Sequence, residues 1–187
     1  SVGEGRRGAR PSLVYLVFAA AGGFLVLGGL MVAHAQGVTA FSELGSLSPY
    51  TSSLFWGLVV SGILVKLGSF GAHIWAPEAY SESPDVFTAF LSGVVSKAPV
   101  FALALVLAKV ATPAVPWLSG FEVDWTWPVA WLGLLTAFGM TLLALFQEDA
   151  KRLLAYSSIG QVGYIVMALA IMSPLGWQAG LYHAVHH

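Results

Sequence analysis

The stretch VFTAFLSGVVSKAPVFALALVLA, residues 86–108, decides the fold of this chain. It is long and apolar enough to cross a bilayer as a helix, which requires about 20 such residues. A second stretch, LFWGLVVSGILVKLGSF at 54–70, lies shortly before it. Each stretch contains one lysine, Lys97 in the first and Lys66 in the second. Because a charged amine near the bilayer centre costs at least about 2.5–3.5 kcal/mol, the two lysines indicate a function inside the membrane.

The composition is that of an integral membrane protein. The 187 residues are 57% hydrophobic and only 9% charged, whereas soluble domains carry about 25% charged residues. A net charge of −1 gives no electrostatic reason for a nucleic-acid partner. The chain has no cysteine and no nucleotide-binding glycine motif. We therefore expect no redox cofactor and no thiolate metal site.

The apolar pattern predicts an all-α, polytopic transmembrane bundle of about six helices, which forms one transmembrane domain over residues 1–187. The connecting segments 36–52, 73–85 and 112–126 contain the turn-forming residues. The predicted helices are 12–35, 53–72, 86–111, 127–147, 153–172 and an incomplete one from about 176.

The distribution of basic residues predicts the orientation. Three arginines lie at 6–10, and Lys151 and Arg152 lie between the fourth and fifth helices, on the same side of the membrane. The opposite side has only Lys109. Because cytoplasmic loops are enriched in Lys and Arg, the N-terminus is predicted to be cytoplasmic.

The helix that contains Lys97 is predicted to be broken at Lys97-Ala98-Pro99. Proline removes a backbone donor and disfavours helical geometry at the residue before it. Discontinuous helices often line ion paths in transporters. A simple proline kink without a function is the alternative.

No acidic residue falls within a predicted membrane core. Lys66 and Lys97 are therefore neutral or hydrated, or their carboxylate partner belongs to another polypeptide. Snorkelling to an interface is the alternative. It is easier for Lys66, which lies seven residues before His73, than for Lys97, which lies eleven residues after Val86.

Histidines are the second group of candidate proton carriers. His73 begins the acidic segment at 73–85, and His183 and His187 share one helical face near the C-terminal end. This pair could bind a metal, but no third ligand is nearby, and we favour a polar proton path. Disordered terminal residues are the remaining alternative.

Three motifs together resemble the proton-antiporter-like membrane subunits of respiratory complex I, multisubunit cation/proton antiporters and membrane-bound hydrogenases. They are VKLG with HIWAPEAY and the following Ser-Pro over 65–84, LSG with Lys97 over 91–97, and QEDAKRLLAYSSIGQVG over 147–163. The resemblance implies a larger fold of 14 or so helices with two inverted repeats, each containing one broken helix. It also implies the plasma membrane of a bacterium or archaeon, with other membrane subunits as partners.

The resemblance also implies roles for single residues. Lys66 corresponds to a lysine paired with a glutamate on an earlier helix, and Lys97 to a member of the central polar axis. His73 corresponds to the histidine after the Lys66 helix, and 182–187 resembles the start of the second broken helix. The family often has histidine at the positions of Tyr80 and Gln161, which puts a proton role there in doubt.

The same resemblance implies that the chain is part of a longer subunit, because it starts after the glutamate-bearing helix and stops before the next expected lysine or glutamate. The predicted function is that of a proton- or cation-translocating membrane subunit of a multisubunit redox-driven pump, which relays protons through buried lysines and histidines. It would be a non-redox subunit of an NADH:quinone oxidoreductase-like translocase. Alternatives are a subunit of a sodium/proton antiporter and a structural, inactive piece. No catalytic residue is predicted, and the proton-relay candidates are Lys66, Lys97, His73, His183 and His187.

Overall fold

The computed structural model describes residues 9–109 and 126–187, which form eight α-helices and no strand. A 3₁₀-helix lies at Phe41–Ser46, and a π-helical segment lies at Leu91–Val95. The predicted all-α bundle is confirmed. The helices are α1 Ala9–Ala35, α2 Pro49–Leu67, α3 Trp75–Glu82, α4 Asp85–Phe90, α5 Lys97–Lys109, α6 Thr126–Leu145, α7 Ala150–Ala170 and α8 Pro174–His186.

Five helical stretches in the described part are long and apolar enough to span a bilayer, and they match the five complete predicted spans. The sixth predicted span is α8, which has 13 residues and is not among the five. Of the predicted connecting segment 112–126, the structure describes only residue 126. The side chains of the arginines at 6–10 also lie outside the described part. The five stretches are Ser12–Ala35, Tyr50–Leu67, Asp85–Ala108, Thr126–Leu145 and Ala150–Ala170.

Helix α2 ends five residues earlier than predicted, directly after Lys66. Gly68 adopts a left-handed conformation with φ of 67°, and its amide donates to the carbonyls of Leu64 and Val65. This geometry ends the helix and favours glycine, which has no Cβ to clash. The segment predicted to connect at 73–85 instead contains helix α3. Pro77 is tolerated there because it lies in the first turn, where no backbone donor is needed.

The irregular part of the Lys97 helix immediately precedes Lys97, instead of lying at Lys97–Pro99 as predicted. The Ser96 amide donates to the Leu91 carbonyl, five residues back, at 3.0 Å. Pro99 lies in the first turn of α5, where its missing N–H leaves no helical hydrogen bond unmade. The proline therefore allows a new helix to start at Lys97, and the π-turn supplies the distortion.

Close contacts between glycine faces bring the helices together in pairs. A Cβ on Gly133 of α6 would lie 2.6 Å from the Met167 amide of α7, and one on Gly22 of α1 would lie 2.8 Å from the Gly62 carbonyl of α2. Helices in lipid associate through such van der Waals packing, because lipid removes the hydrophobic driving force. The pairs α1–α2 and α6–α7 are therefore the basic units of the bundle.

The turn after Lys66 is attached to α6 and not only to its own helix. The Phe70 amide donates to the Thr136 hydroxyl at 3.0 Å, and that hydroxyl donates to the Leu132 carbonyl at 2.6 Å. Thr136 is almost completely buried. The indole of Trp75 donates to the Val65 carbonyl at 3.3 Å. These bonds fix the C-terminal end of α2 between α3 and α6.

Candidate functional site

Lys97, the first residue of α5, lies at the centre of a hydrogen-bonded cluster. Its Nζ donates to the Ser92 carbonyl at 2.9 Å and lies 3.3 Å from the Ser96 hydroxyl. The Nδ1 atom of His187 lies 3.2 Å from the same Nζ. Ser92 lies in the π-helical segment Leu91–Val95, so this segment supplies the acceptor of the first contact. The structure thus brings together two predicted relay residues that lie 90 positions apart.

His183 of α8 and His187, which directly follows this helix, both hydrogen-bond to α7. The Nε2 atom of His187 lies 3.2 Å from the Ser158 carbonyl, and that of His183 lies 2.8 Å from Oε1 of Gln161. The two rings lie 6.3 Å apart in an edge-on arrangement. Both side chains are half-buried. Among the described residues, no group of three or more potential ligands could hold a metal ion.

Lys66 lies apart from the Lys97–His187 contact, and its side chain packs against α1. The glycines at 22 and 23 leave room for its side chain, since a Cβ on Gly22 would lie 2.8 Å from Cγ and one on Gly23 would lie 3.9 Å from Nζ. The side chain reaches an apolar groove of about 780 Å³ between α1, α2 and α5. The described part of the chain offers Lys66 no carboxylate partner, since its single ion pair joins Lys151 to Asp85.

A second, very small cavity lies between Lys66 and His187. Its volume is about 10 Å³, and Ser96, Ser158 and Tyr80 contribute to its wall. This is close to the space that one water molecule needs. The cavity has polar groups on its wall, so one water there could join Lys66 to the Lys97–His187 pair.

His73 and Tyr80 lie beside this cluster and do not hydrogen-bond with it. His73 stacks near Phe70 and Tyr156, and its Nδ1 is buried without a hydrogen-bond partner among the described residues. Burial lowers the pKa of His73 and raises the pKa of Tyr80 to about 12. Tyr80 therefore keeps its proton at neutral pH.

Several residues of the cluster were not predicted as site residues. They are Gln161, whose proton role the sequence left in doubt, and three serines whose polar groups contact the relay candidates, at 92, 96 and 158. A serine carbonyl gives no sequence signal, because every residue has one. The spacing of Ser158 and Gln161, three apart on a helix, is compatible with a shared face but does not reveal the neighbouring helix.

Comparison with known proteins places the chain in a family. A family model described as "NADH:quinone oxidoreductase/Mrp antiporter, TM" matches residues 6–187. The chain belongs to this family. The predicted resemblance to antiporter-like membrane subunits is thereby confirmed, and the chain is a multi-pass membrane subunit.

Relatives of this family member include two bacterial proteins named NADH-quinone oxidoreductase subunit N. The one from Chlorobium chlorochromatii (strain CaD3) is 33% identical over 192 residues, which cover 97% of this chain and 37% of that protein. The one from Geotalea uraniireducens (strain Rf4) is 41% identical over 130 residues, which cover 70% of this chain and 26% of that protein. The chain spans about a third of the length of such relatives.

Two solved structures share the fold. A chain of the membrane-bound sulfane sulfur reductase, an archaeal respiratory membrane complex, is 35% identical with a TM-score of 0.83, over 95% of this chain and 31% of that one. A chain of the Mrp complex from Dietzia sp. DQ12-45-1b has a TM-score of 0.84 over 97% of this chain and 33% of that one. The second is 22% identical and supports the fold alone.

Proposed function

We propose that this chain is part of a membrane subunit that translocates protons in a redox-driven, multisubunit complex. The observation that carries the proposal is the contact between Lys97 and His187, two titratable groups at 3.2 Å between helices distant in sequence. Two relatives bear the name NADH-quinone oxidoreductase subunit N, which supports a redox-driven complex and other membrane subunits as partners.

The chemistry of the site favours protons over sodium ions as cargo. The relay candidates in the described part are amines and imidazoles, which exchange protons with their surroundings. A metal cation would need several oxygen ligands, and the predicted membrane cores contain no acidic residue. Sodium coupling through this segment would thus require carboxylates from elsewhere in the assembly.

The proposed path runs through Lys97, His187, the small cavity and Lys66. A proton on Lys97 can pass to Nδ1 of His187 along their hydrogen bond. A water in the cavity can then join His187 to Lys66, which faces the groove beside α1. A carboxylate that approaches Lys66 from that groove would favour the charged amine, and its withdrawal would favour release. In this proposal, His183 extends the path along α8, and His73 forms its cytoplasmic end.

The orientation is part of this proposal. The Lys151-Arg152 pair begins α7, and the loop before it approaches the end of α3, where Lys151 donates to the Ser83 carbonyl at 3.3 Å. Because cytoplasmic loops are enriched in Lys and Arg, the Lys151-Arg152 pair supports a cytoplasmic location for this end of α7 and for the N-terminus. The proposed membrane is the plasma membrane of a bacterium or archaeon.

The test compares variants of adjacent histidines in the intact complex, reconstituted in liposomes. His187→Gln should lower the number of protons translocated per electron, because it interrupts the path at the Lys97 contact. His186→Gln is the matched control, since His186 lies on the exposed face of α8 and packs on Tyr182. Lys97→Ala should have the effect of His187→Gln, and Lys97→Arg should retain a charged donor without easy proton release.

Equal proton-to-electron ratios in the His187→Gln, His186→Gln and unmodified complexes would contradict the relay. A loss of transport in parallel with a loss of assembled complex would instead support the structural alternative. Proton movement that is driven by an imposed sodium gradient, in the absence of electron donor and acceptor, would support the antiporter alternative.

A further inference from the structure

One turn of α7 contacts His183 and His187, each at the Nε2 atom of its ring. The Ser158 carbonyl lies 3.2 Å from Nε2 of His187, and Oε1 of Gln161 lies 2.8 Å from Nε2 of His183. Ser158 and Gln161 are three residues apart, and the histidines are four apart, so the two pairs run along facing sides of neighbouring helices.

Both oxygens are acceptors only, and this determines which nitrogen carries the hydrogen. A neutral imidazole has one N–H donor and one acceptor nitrogen. A hydrogen bond from Nε2 to a carbonyl or amide oxygen requires the hydrogen on Nε2, so Nδ1 is the free acceptor. At His187 this agrees with the other contact, because a charged Lys97 Nζ can only donate to Nδ1.

We propose that Gln161 is a positioning residue that holds His183 as the Nε2–H tautomer, while the Ser158 carbonyl does the same for His187. Nδ1 is then the nitrogen at which both rings take up a proton, because an amide or peptide oxygen does not accept one from Nε2 at ordinary pH. The inference rests on the proposed relay for its consequence, but the tautomers themselves can be measured independently.

The neutrality of Gln161 is essential to this role. The ionisable groups whose charges act on His183 are His187, His186 and Lys97, all of them bases. A carboxylate at 161 would hold a proton on His183 by charge attraction, whereas the amide orients the ring without fixing its charge. Gln161 therefore positions His183 and leaves its proton free to exchange.

The test measures the tautomer directly, by solid-state ¹⁵N NMR of the full-length protein in lipid bilayers with labelled histidine. His183→Asn identifies the His183 signals. The unmodified protein should show the Nε2–H form. Gln161→Glu should raise the proton affinity of His183 by about tenfold or more, equal to one pH unit. Gln161→Met removes the acceptor and should populate both tautomers.

Gln147→Glu is the control for the added charge, because Gln147 lies after α6 and donates to the Leu143 carbonyl away from the histidines. It should leave the His183 titration unchanged. In the intact complex, the pH profile of proton translocation should shift upward with Gln161→Glu and not with Gln147→Glu.

An Nδ1–H tautomer in the unmodified protein would overturn the inference, as would a His183 titration that is equal in the Gln161→Glu and Gln147→Glu variants. If the Gln161→Glu protein does not fold, the unmodified and Gln161→Met spectra still decide the tautomer. If the spectra are as expected but Gln161→Glu does not change proton translocation, the tautomer assignment stands and the relay through His183 is refuted.

Discussion

The contact between α1 and α2 makes a sharp prediction about Gly22. A Cβ at this position would lie 2.8 Å from both the Gly62 carbonyl oxygen and Cγ of Lys66. The oxygen belongs to the backbone and can move only with its helix, so Gly22→Ala must separate the helices or displace Lys66. Overpacking of this kind costs about 1–3 kcal/mol.

Two other glycines in the same helices provide matched controls. A Cβ on Gly57 has no atom within 4 Å, and one on Gly23 meets only the flexible end of Lys66, at 3.9 Å. All three alanine variants gain the same helix propensity, about 1 kcal/mol. The difference between Gly22→Ala and Gly57→Ala therefore isolates the packing cost.

The assay is unfolding by SDS in mixed micelles, followed by tryptophan fluorescence. We expect Gly22→Ala to be less stable than Gly57→Ala by about 1–3 kcal/mol, and Gly23→Ala to resemble Gly57→Ala. If the free energies of unfolding of Gly22→Ala and Gly57→Ala are equal within error, the close approach of α1 and α2 is refuted.

Three further predictions concern polar residues. Asp149→Ala should lower the free energy of unfolding by about 1 kcal/mol, because the Asp149 carboxylate caps α7 by accepting from the Arg152 amide at 2.8 Å; Asp149→Asn should restore most of the loss in the same SDS titration. Removal of the Lys151–Asp85 pair should cost less than about 1 kcal/mol, since the Asp85 side chain is 86% exposed, and a double-mutant cycle that gives a larger coupling would contradict this. Because burial lowers the pKa of His73, the unfolded chain binds that proton more tightly. Stability should therefore be complete above about pH 6.5 and should fall as the pH drops towards the lower pKa of the folded protein; His73→Gln should flatten this dependence in a pH series of melting temperatures.

The positions of the membrane spans could be predicted from the sequence, because length and apolarity alone determine them. The predicted end of α2, residue 72, is five residues too late, since residues 69–72 contain no charge and no proline that would indicate a helix end at Gly68. Helix α3 was predicted to be a connecting segment because its proline and acids resemble turn signals. The first turn of a helix tolerates both.

The candidate site was only partly predictable. Lys66, Lys97 and His187 are unusual residues in apolar surroundings, and this could be seen in the sequence. The approach of Lys97 to His187 depends on how α5, α7 and α8 pack, and no local pattern encodes contacts between residues 90 positions apart. Gln161 was also missed as a positioning residue, because a glutamine on a helix is an ordinary residue until its neighbour is known.

The hydrogen bond from the Phe70 amide to Thr136 has a mechanical consequence. It ties the helix end that holds Lys66 to α6, which is itself locked to α7 through the contact at Gly133. Helix α7 also carries the oxygens that orient His183 and His187. A displacement of the α6–α7 pair would pull on both ends of the proposed path at once. Lys66 and the two histidines would therefore shift together, because all three are held through one helix pair.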